Sequence, residues 1–177
     1  MRITRRIALG LSAALLALSA GVSQAQEKMQ LKIGTEGAYP PFNYLTADGK
    51  LEGFDVDIAR ALCEQMNAEC EFVTQDWDGM IPALQAGKFD AIIASMSITD
   101  ERKQQVDFTN KYYNTPPAIV VPKDSEIAGV TKEDLAGKTI GAQGSTTHAN
   151  FAEATFPDSD IKVYPTAEEY KLDMVNG

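Results

Sequence analysis

Runs of strand length alternate with segments of helical periodicity along this chain, and no other feature of the sequence constrains its fold as strongly. The runs Leu31–Gly34 and Phe89–Ala94 have the length and apolar content of strands. Between them, apolar residues recur every four positions, as on one face of a helix: Phe54, Ile58, Leu62 and Met66. Strands that alternate with helices are typical of an α/β fold with mostly parallel sheets. We therefore predict that fold class.

The first half of the chain also contains a predicted hairpin and a further strand. Phe42–Tyr44 and Leu51–Phe54 flank Asp48-Gly49, a strong hairpin signal. Cys70–Val73 is predicted as a strand. The prolines and glycine of segment 36–41 predict a loop between the first strand and the hairpin.

A second helix is predicted to follow these strands. Asp76 or Asp78 is expected to cap it, and it runs to about Ala86. Ile81 and Leu84 are expected to face inward.

The second half repeats the alternation. Thr99–Arg102 is predicted to begin a helix and Pro117–Pro122 to form a strand. The remaining predicted elements are the helices Lys132–Leu135, one from about Thr146, and Ala167–Val175, with strands Lys138–Ala142 and Ile161–Tyr164. We predict two lobes, residues 26–118 and 119–177, with a junction near residues 115–123.

Residues 1–25 have the three parts of a secretory signal peptide. Three arginines precede the apolar run Ile7–Ala20, and Ser23-Gln24-Ala25 has the small residues of a cleavage site. A membrane anchor is the alternative, but the apolar run is short for a span and a processing site follows it. We predict cleavage after Ala25 and a periplasmic mature protein, with Sec and Tat export both open.

The charge of the chain limits its partners. The formal net charge is −9, and without the three leader arginines 13 basic side chains stand against 25 acidic ones, which gives −12. An acidic surface repels nucleic acid and anionic membranes. We therefore expect neither as a partner, and we expect a monomer.

The two cysteines, Cys63 and Cys70, indicate a disulfide in an exported protein. Two buried free thiols are the alternative. A continuous helix would separate the two Cα atoms by about 10.5 Å, whereas a disulfide needs less than about 7 Å. A bridge therefore requires the helix to end between them, near Asn67–Glu69.

Three segments follow the carboxyl ends of predicted strands: Glu36–Tyr39, Ala94–Arg102 and Gln143–His148. In open α/β sheets, ligands bind beyond the carboxyl ends of the strands. We therefore expect a ligand site where these segments meet.

The motif Gly53–Ile58, followed by Leu62, Cys63 and Met66 at helical spacing, resembles the signature of the family 3 extracellular solute-binding proteins. Three further motifs are similar to that family: Asp76–Gly79, Ser95–Thr99 with Arg102, and Gly141–Thr147. The likeness covers residues 29–177. It is greatest to the lysine/arginine/ornithine-, histidine- and opine-binding members, whose disulfide the cysteine pair resembles. It implies the type II periplasmic-binding-protein fold, with two α/β lobes and a ligand cleft between them.

The resemblance implies that four residues contact the main chain of an amino-acid ligand. Arg102 and Thr147 would bind the carboxylate, Arg102 through two parallel hydrogen bonds and Thr147 at a helix start. The Ser95 carbonyl and the Ser97 hydroxyl would accept hydrogen bonds from the ammonium. From spacing alone, a surface arginine and an N-cap threonine are the better interpretations of Arg102 and Thr147. Turn serines that bond their own backbone are the alternative for Ser95 and Ser97.

Four more residues are implied to lie around the ligand. Tyr39 and Trp77 resemble the family pair that sandwiches the ligand side chain, and aromatic faces suit a guanidinium. Glu36 stands where the basic amino-acid branch has an acidic residue that faces the ligand's cationic end. His148, the sole histidine, is expected near the ligand. Core packing of the aromatics and a solvated charge at Glu36 are the alternatives.

The sequence offers little for catalysis. Asp55 and Asp57 resemble a carboxylate pair, but in the first turn of a helix their charges are explained by the helix dipole. No His/Cys cluster has zinc spacing, and Gly141–Gly144 is too short for a phosphate loop. We predict no catalytic residues, no metal and no cofactor.

The resemblance also implies that the second lobe and the return crossover are incomplete in this sequence, because the family's chains continue beyond this point. An aspartate that anchors the ligand ammonium in the family would lie further downstream. We predict the substrate-binding component of an amino-acid ABC transporter. It would bind arginine, lysine, ornithine, histidine or an opine and deliver it to a permease in the inner membrane. An enzyme of the cyclohexadienyl dehydratase type and a ligand-binding sensor domain are the alternatives.

Overall fold

The first sheet is built around β1 (Met29–Thr35), in a computed structural model that describes residues 27–177. β5 (Ala68–Thr74) pairs with β1 in parallel along its whole length, and β6 (Ala91–Ile92) pairs in parallel with Ile33 and Gly34 on the other side. The strand order is β5-β1-β6. The predicted strand 89–94 is thus real but shorter, because only two of its residues pair.

A small antiparallel sheet follows β1. It consists of β2 (Ala38–Tyr39), β3 (Asn43–Leu45) and β4 (Leu51–Glu52). The predicted hairpin is confirmed, with Gly49 at φ 77° in the turn. The segment predicted as a loop contains β2, which sequence reasoning missed because two residues carry no periodicity.

Helix α1 (Phe54–Gln65) ends as the disulfide requires. Asn67 has φ 52°, a left-handed conformation that stops a helix. The Cα atoms of Cys63 and Cys70 are then 6.2 Å apart, and the two residues form a disulfide. The prediction of a bridge and of a helix end between the cysteines is confirmed.

The predicted apolar face of α1 is wrong. The buried face contains Val56, Ala59 and Cys63, whereas Leu62 and Met66 are 49% and 50% exposed. Four residues turn a helix by about 400°, so a stripe with that spacing drifts around the helix. The 3- and 4-residue steps of the buried set keep one side against the sheet instead.

The helix predicted at 76–86 is divided. A 3-10 turn, Trp77–Gly79, leads into α2 (Met80–Gln85), and Asp76 precedes the turn without capping it through its side chain. Asp78 lies inside the turn and is not a cap. The buried residues are Met80 and Ala83, which form a core with Phe89 and Ala94, while Leu84 packs at its margin. Ile81 and Leu84 are both partly buried, and of the two Leu84 packs against this core.

Past the core, α3 (Asp100–Lys103) begins as predicted, with Thr99 accepting a hydrogen bond from the Arg102 N–H. The strand predicted for Pro117–Pro122 is not formed. Prolines supply no N–H for a ladder, and these residues have no paired neighbour in the part of the chain described.

The second sheet pairs β7 (Thr139–Gln143) with β8 (Asp160–Tyr164) in parallel. Its helices are α4 (Lys132–Leu135), α5 (Thr147–Thr155) and α6 (Ala167–Asn176). Each begins after a threonine whose side chain accepts a backbone hydrogen bond: Thr131, Thr146 and Thr166. A second core, Leu135 with Ala152 and Phe156, closes this lobe. All five elements predicted here are confirmed within one or two residues.

The fold is therefore α/β with two lobes, each with its own parallel sheet and core. Through residues 27–177 we find no helix with the length and apolar character of a membrane span. The predicted leader, residues 1–25, lies outside the described residues.

Candidate functional site

The carboxyl ends of three strands lead into the segments predicted to form the site. β1 leads to Glu36, β6 leads to Ser95–Arg102, and β7 leads to Ser145–Thr147. Side chains from these segments contact each other across the two lobes. The convergence expected from the sequence is therefore present.

Arg102 forms the centre of the first group of contacts. Its Nη1 donates to the Ser97 carbonyl at 2.9 Å, and its Nη2 donates to the Ser145 carbonyl of the other lobe at 3.0 Å. The guanidinium lies 5.4 Å from the centroid of the Trp77 ring, and Trp77 Nε1 donates to the same Ser145 carbonyl at 3.0 Å. We call Arg102, Trp77, Ser97 and Ser145 the cationic cluster.

The charge of Arg102 is balanced by dipoles and not by a carboxylate. Within residues 27–177, no Asp or Glu oxygen lies within 4 Å of its guanidinium. Burial lowers the pKa of Arg102, partly offset by Glu101, but an arginine keeps its charge in proteins. A half-buried cation held by carbonyls alone can accept an anionic partner.

Thr147 lies beside the cationic cluster. It is the first residue of α5, and its Oγ1 is 3.5 Å from Ser97 Oγ across the lobes. The cap is Thr146, which accepts a hydrogen bond from the Ala149 N–H at 3.2 Å. The backbone N–H groups of this first turn add positive potential at the same place. His148 follows in α5 with an exposed side chain that has no hydrogen bond within the described residues.

Glu36 forms the centre of a second group. Its Oε1 accepts a hydrogen bond of 2.5 Å from Gln143 Nε2, which also donates to the Pro165 carbonyl at 2.9 Å. Burial raises the pKa of Glu36, and the charges of Asp76 and Asp78 raise it further, while the Gln143 hydrogen bond lowers it. We call Glu36, Gln143, Asp76 and Asp78 the acidic cluster.

Gln143 begins one of the three segments predicted to meet at the site, but the sequence assigns it no contact of its own. It is 7% exposed, lies in the second lobe, and uses its amide to hold a carboxylate of the first lobe. Its position at the last residue of β7 was the available signal, because polar residues at strand ends line ligand sites in α/β sheets.

Tyr39 and Trp77, the predicted aromatic pair, each contact other side chains of the protein. The Tyr39 ring stacks on Phe42, with centroids 5.3 Å apart, and α6 packs against β2 beside it. Burial raises the pKa of Tyr39. One face of Trp77 is covered by Arg102. Trp77 can therefore offer a ligand only its other face or its edge.

The hydroxyl and the N–H of Ser95 both form hydrogen bonds within the protein. It has φ 54°, and its hydroxyl donates to both oxygens of Asp55, at 2.8 and 3.0 Å. Its N–H donates to the Tyr112 hydroxyl oxygen at 3.0 Å. These bonds leave the Ser95 carbonyl as the group through which the predicted ligand contact would be made.

Comparison with known proteins finds similar chains among bacterial solute-binding proteins. Residues 31–173 match the family model "Bacterial extracellular solute-binding proteins, family 3". The chain is 48% identical to the L-arginine-binding protein of Pseudomonas aeruginosa, over 83% of this chain and 57% of that protein. It is 41% identical to the octopine-binding periplasmic protein of Rhizobium meliloti, over 93% of this chain and 63% of that one. The chain thus spans about three fifths of the curated relatives it matches.

A solved structure of an ancestral arginine-binding protein bound to arginine superimposes with a TM-score of 0.79 and 39% identity, over 85% of this chain and 67% of that one. The similarity covers both sheets, so the two lobes described above have the architecture of that protein.

Proposed function

The chain belongs to the bacterial extracellular solute-binding proteins of family 3, and from that membership we propose that it is the substrate-binding component of an amino-acid ABC transporter. Its ligand is a cationic amino acid or an opine, delivered to a permease in the inner membrane. The protein acts in the periplasm as a monomer, after cleavage of residues 1–25, with residues 26–118 and 119–177 in the two lobes.

One observation carries the proposal: a half-buried arginine that bridges the two lobes by hydrogen bonds to one carbonyl of each, with no carboxylate partner within residues 27–177. A ligand carboxylate can replace the Ser145 carbonyl on Nη2 and form a charged hydrogen bond, which is about twice as strong as a neutral one. Because Arg102 belongs to the first lobe and Ser145 and Thr147 to the second, an anion bound there engages both lobes. Closure would then follow from contacts made only when both lobes are engaged.

The acidic cluster supports a positively charged ligand side chain. Three carboxylates influence one another there, and one oxygen of Glu36 is held by Gln143. A guanidinium or ammonium group placed beside Glu36 would relieve this like-charge repulsion. We assign the cationic end of the ligand to Glu36 and leave open which cationic amino acid or opine is bound.

The remaining predicted residues complete the proposal. Ser97 and the Ser95 carbonyl accept from the ligand ammonium, Thr147 binds the carboxylate, and the rings of Tyr39 and Trp77 border the side chain. His148 follows Thr147 in α5 with an exposed side chain, and we assign it to a contact near the ligand from the second lobe.

We assign no catalysis. The two curated relatives described above are named as binding proteins, and Asp55, the one fully buried carboxylate in residues 27–177, is surrounded by donors from the protein itself. Turnover of a prephenate-like acid by the purified chain would contradict this assignment.

The test is a thermal melt of the chain with and without L-arginine, L-lysine, L-histidine, L-glutamine and L-glutamate. A ligand present at about 100 times its Kd stabilises a protein by about 2.7 kcal/mol. We expect a rise in Tm with L-arginine or L-lysine and none with L-glutamate. A melt with octopine extends the panel to an opine. Equal shifts with L-glutamate, or no shift with any cationic amino acid or octopine, would contradict the proposal.

A further inference from the structure

Asp55 is the most buried charged side chain of the described residues, and its surroundings are unusual. It is 0% exposed. Its carboxylate accepts hydrogen bonds from Asn43 Nδ2 at 2.8 Å, from Tyr112 Oη at 2.7 Å and from Ser95 Oγ at 2.8 Å. No lysine or arginine within residues 27–177 lies within 4 Å of it. Three neutral donors from three distant segments thus take the place of a counter-ion.

The first donor connects Asp55 to the segment that carries Glu36. Asn43 is also 0% exposed, and while its Nδ2 donates to Asp55 its Oδ1 accepts from the Gly37 N–H at 2.8 Å. Gly37 has φ 77°, in the left-handed region. It is followed directly by β2, which contains Tyr39. The position of Glu36 and Tyr39 therefore depends on a residue that Asp55 orients.

The second donor connects Asp55 to the segment that carries Arg102. Ser95 is held in a left-handed conformation that non-glycine residues seldom adopt. Its hydroxyl is bound by Asp55 and its N–H by Tyr112, which is itself bound to Asp55. Two residues later, the Ser97 carbonyl holds the Arg102 guanidinium. The path from Asp55 thus reaches the cationic cluster.

A carboxylate is the group that this arrangement needs. It is acceptor-only, whereas an amide would direct two N–H donors toward other donors. Asp57 provides the contrast, because it lies in the same first turn of α1 and meets the same helix dipole. Its side chain is 74% exposed and its partner is Arg60, at 3.4 Å. The dipole accounts for Asp57 but not for the contacts of Asp55.

We propose that Asp55 is a positioning residue for the ligand site, which holds the Glu36–Tyr39 segment through Asn43 and the Ser95–Arg102 segment through Ser95 and Tyr112. The ligand part of this inference rests on the proposed function. The positioning part rests on the contacts alone, so the two can fail separately.

The test compares Asp55→Asn with the matched control Asp57→Asn in the full chain. The readouts are amide hydrogen exchange at Gly37, Ser95 and Ala149 and the NMR resonance of the indole N–H of Trp77, the sole tryptophan.

For Asp55→Asn we expect exchange at Gly37 and Ser95 to accelerate about tenfold, equivalent to about 1.4 kcal/mol, and the Trp77 resonance to shift. In the same variant, the exchange rate of the Ala149 amide, in the other lobe, should change less than about twofold. In Asp57→Asn, the exchange rates of all three amides should change less than about twofold. Equal acceleration at Ala149 would mean general destabilisation and would overturn the proposal.

If Asp55→Asn does not fold, the variant Tyr112→Phe tests whether Asp55 positions the Ser95–Arg102 segment. Tyr112 is 40% exposed, so the smaller change should be tolerated. The variant removes the Tyr112 bonds to Ser95 and Asp55, which weakens the arm through Ser95 and leaves the arm through Asn43 intact. We expect the Trp77 resonance to shift and the Gly37 amide to keep its exchange rate, and an unchanged Trp77 resonance would overturn the proposal.

L-Arginine titration separates the two inferences. The Kd should rise about fivefold or more in Tyr112→Phe, roughly 1 kcal/mol, and stay unchanged in Asp57→Asn. Equal Kd values in Tyr112→Phe and the wild type would overturn the link to the ligand. If the wild type does not bind L-arginine or another cationic ligand, the proposed function is wrong, and the exchange data alone decide whether Asp55 positions the two segments.

Discussion

The cationic and acidic clusters hold their charged groups in different ways. Arg102 is held by two backbone carbonyls, one from each lobe, whereas Glu36 is held by a side-chain amide of the other lobe and stands near two more carboxylates. Backbone carbonyls do not change with sequence, so the cationic cluster suits the carboxylate that every amino acid carries. The acidic cluster is made of side chains and suits a part of the ligand that differs between amino acids. If this division is right, variants of the two clusters should affect different sets of ligands.

The largest effect is expected from Arg102→Ala. Loss of one partner of a buried, hydrogen-bonded charge pair costs about 2–5 kcal/mol, so L-arginine, L-lysine and L-glutamine should all lose detectable binding in calorimetric titrations. The control is Lys103→Ala, which removes an exposed positive charge from the next residue of α3 and should leave each Kd within about twofold. Retained binding of any of these amino acids by Arg102→Ala would end the assignment of the carboxylate to this cluster.

Glu36→Gln should have the next largest effect, and only on cationic ligands. Hydrogen bonds to charged groups contribute about 1.5–3 kcal/mol, so the Kd for L-arginine should rise about tenfold or more while that for L-glutamine stays the same. Glu71→Gln is the matched control, because Glu71 is exposed and pairs with Lys32 at 3.8 Å. An equal loss for both ligands would mean that Glu36 acts on closure and not on the ligand side chain.

The difference between the clusters also bears on what the sequence could predict. The order of strands and helices and the Cys63–Cys70 bridge follow from local patterns, and the structure confirms them. The spacing of apolar residues predicts the wrong face of α1, since spacing alone does not tell which side of a helix meets the sheet. The apolar run Pro117–Pro122 predicts a strand, but it pairs with no other strand of the described residues.

The contacts within the site were harder to predict. Glu36 and Gln143 are 107 positions apart, and Asp55 receives its donors from segments 12, 40 and 57 residues away. No periodicity reports such pairs. The family resemblance names candidate ligand contacts. It does not identify the hydrogen bond from the Gln143 amide to Glu36 or the three donors to Asp55.

Lowering the pH should weaken L-arginine binding through the acidic cluster alone, by less than Glu36→Gln does. Burial raises the pKa of Glu36, so its carboxylate gains a proton at a higher pH than an ordinary glutamate, and the protonated form cannot balance a cation. L-Arginine affinity should therefore fall as the pH drops through that raised pKa, by less than the full effect of Glu36→Gln. In the free protein the sign is opposite: the folded state binds this proton more tightly, so the Glu36 contribution to stability falls as pH rises over the same range.

Calorimetric titrations of L-arginine between pH 8 and about pH 4 check this expectation, because that range includes the pH at which an ordinary glutamate gains its proton and the ligand's guanidinium keeps its charge throughout. The Glu36→Gln variant is the control and should show a flatter profile. A wild-type profile as flat as that of the variant would show that Glu36 does not face the bound cation.

The smallest effect is expected from Trp77→Phe, and it is the most direct probe of where the two clusters meet. Trp77 lies between Asp76 and Asp78 in the chain, yet its contacts belong to the cationic cluster: Arg102 over its ring and the Ser145 carbonyl on its Nε1. A phenylalanine keeps a ring but loses the N–H donor and part of the cation–π attraction, about 0.5–1 kcal/mol at sites open to solvent. If Trp77 acts through Arg102, L-arginine and L-glutamine should lose affinity by the same factor, about two- to fivefold. If L-arginine loses clearly more, the indole contacts the ligand side chain directly, and the sandwich with Tyr39 is the better description of this residue.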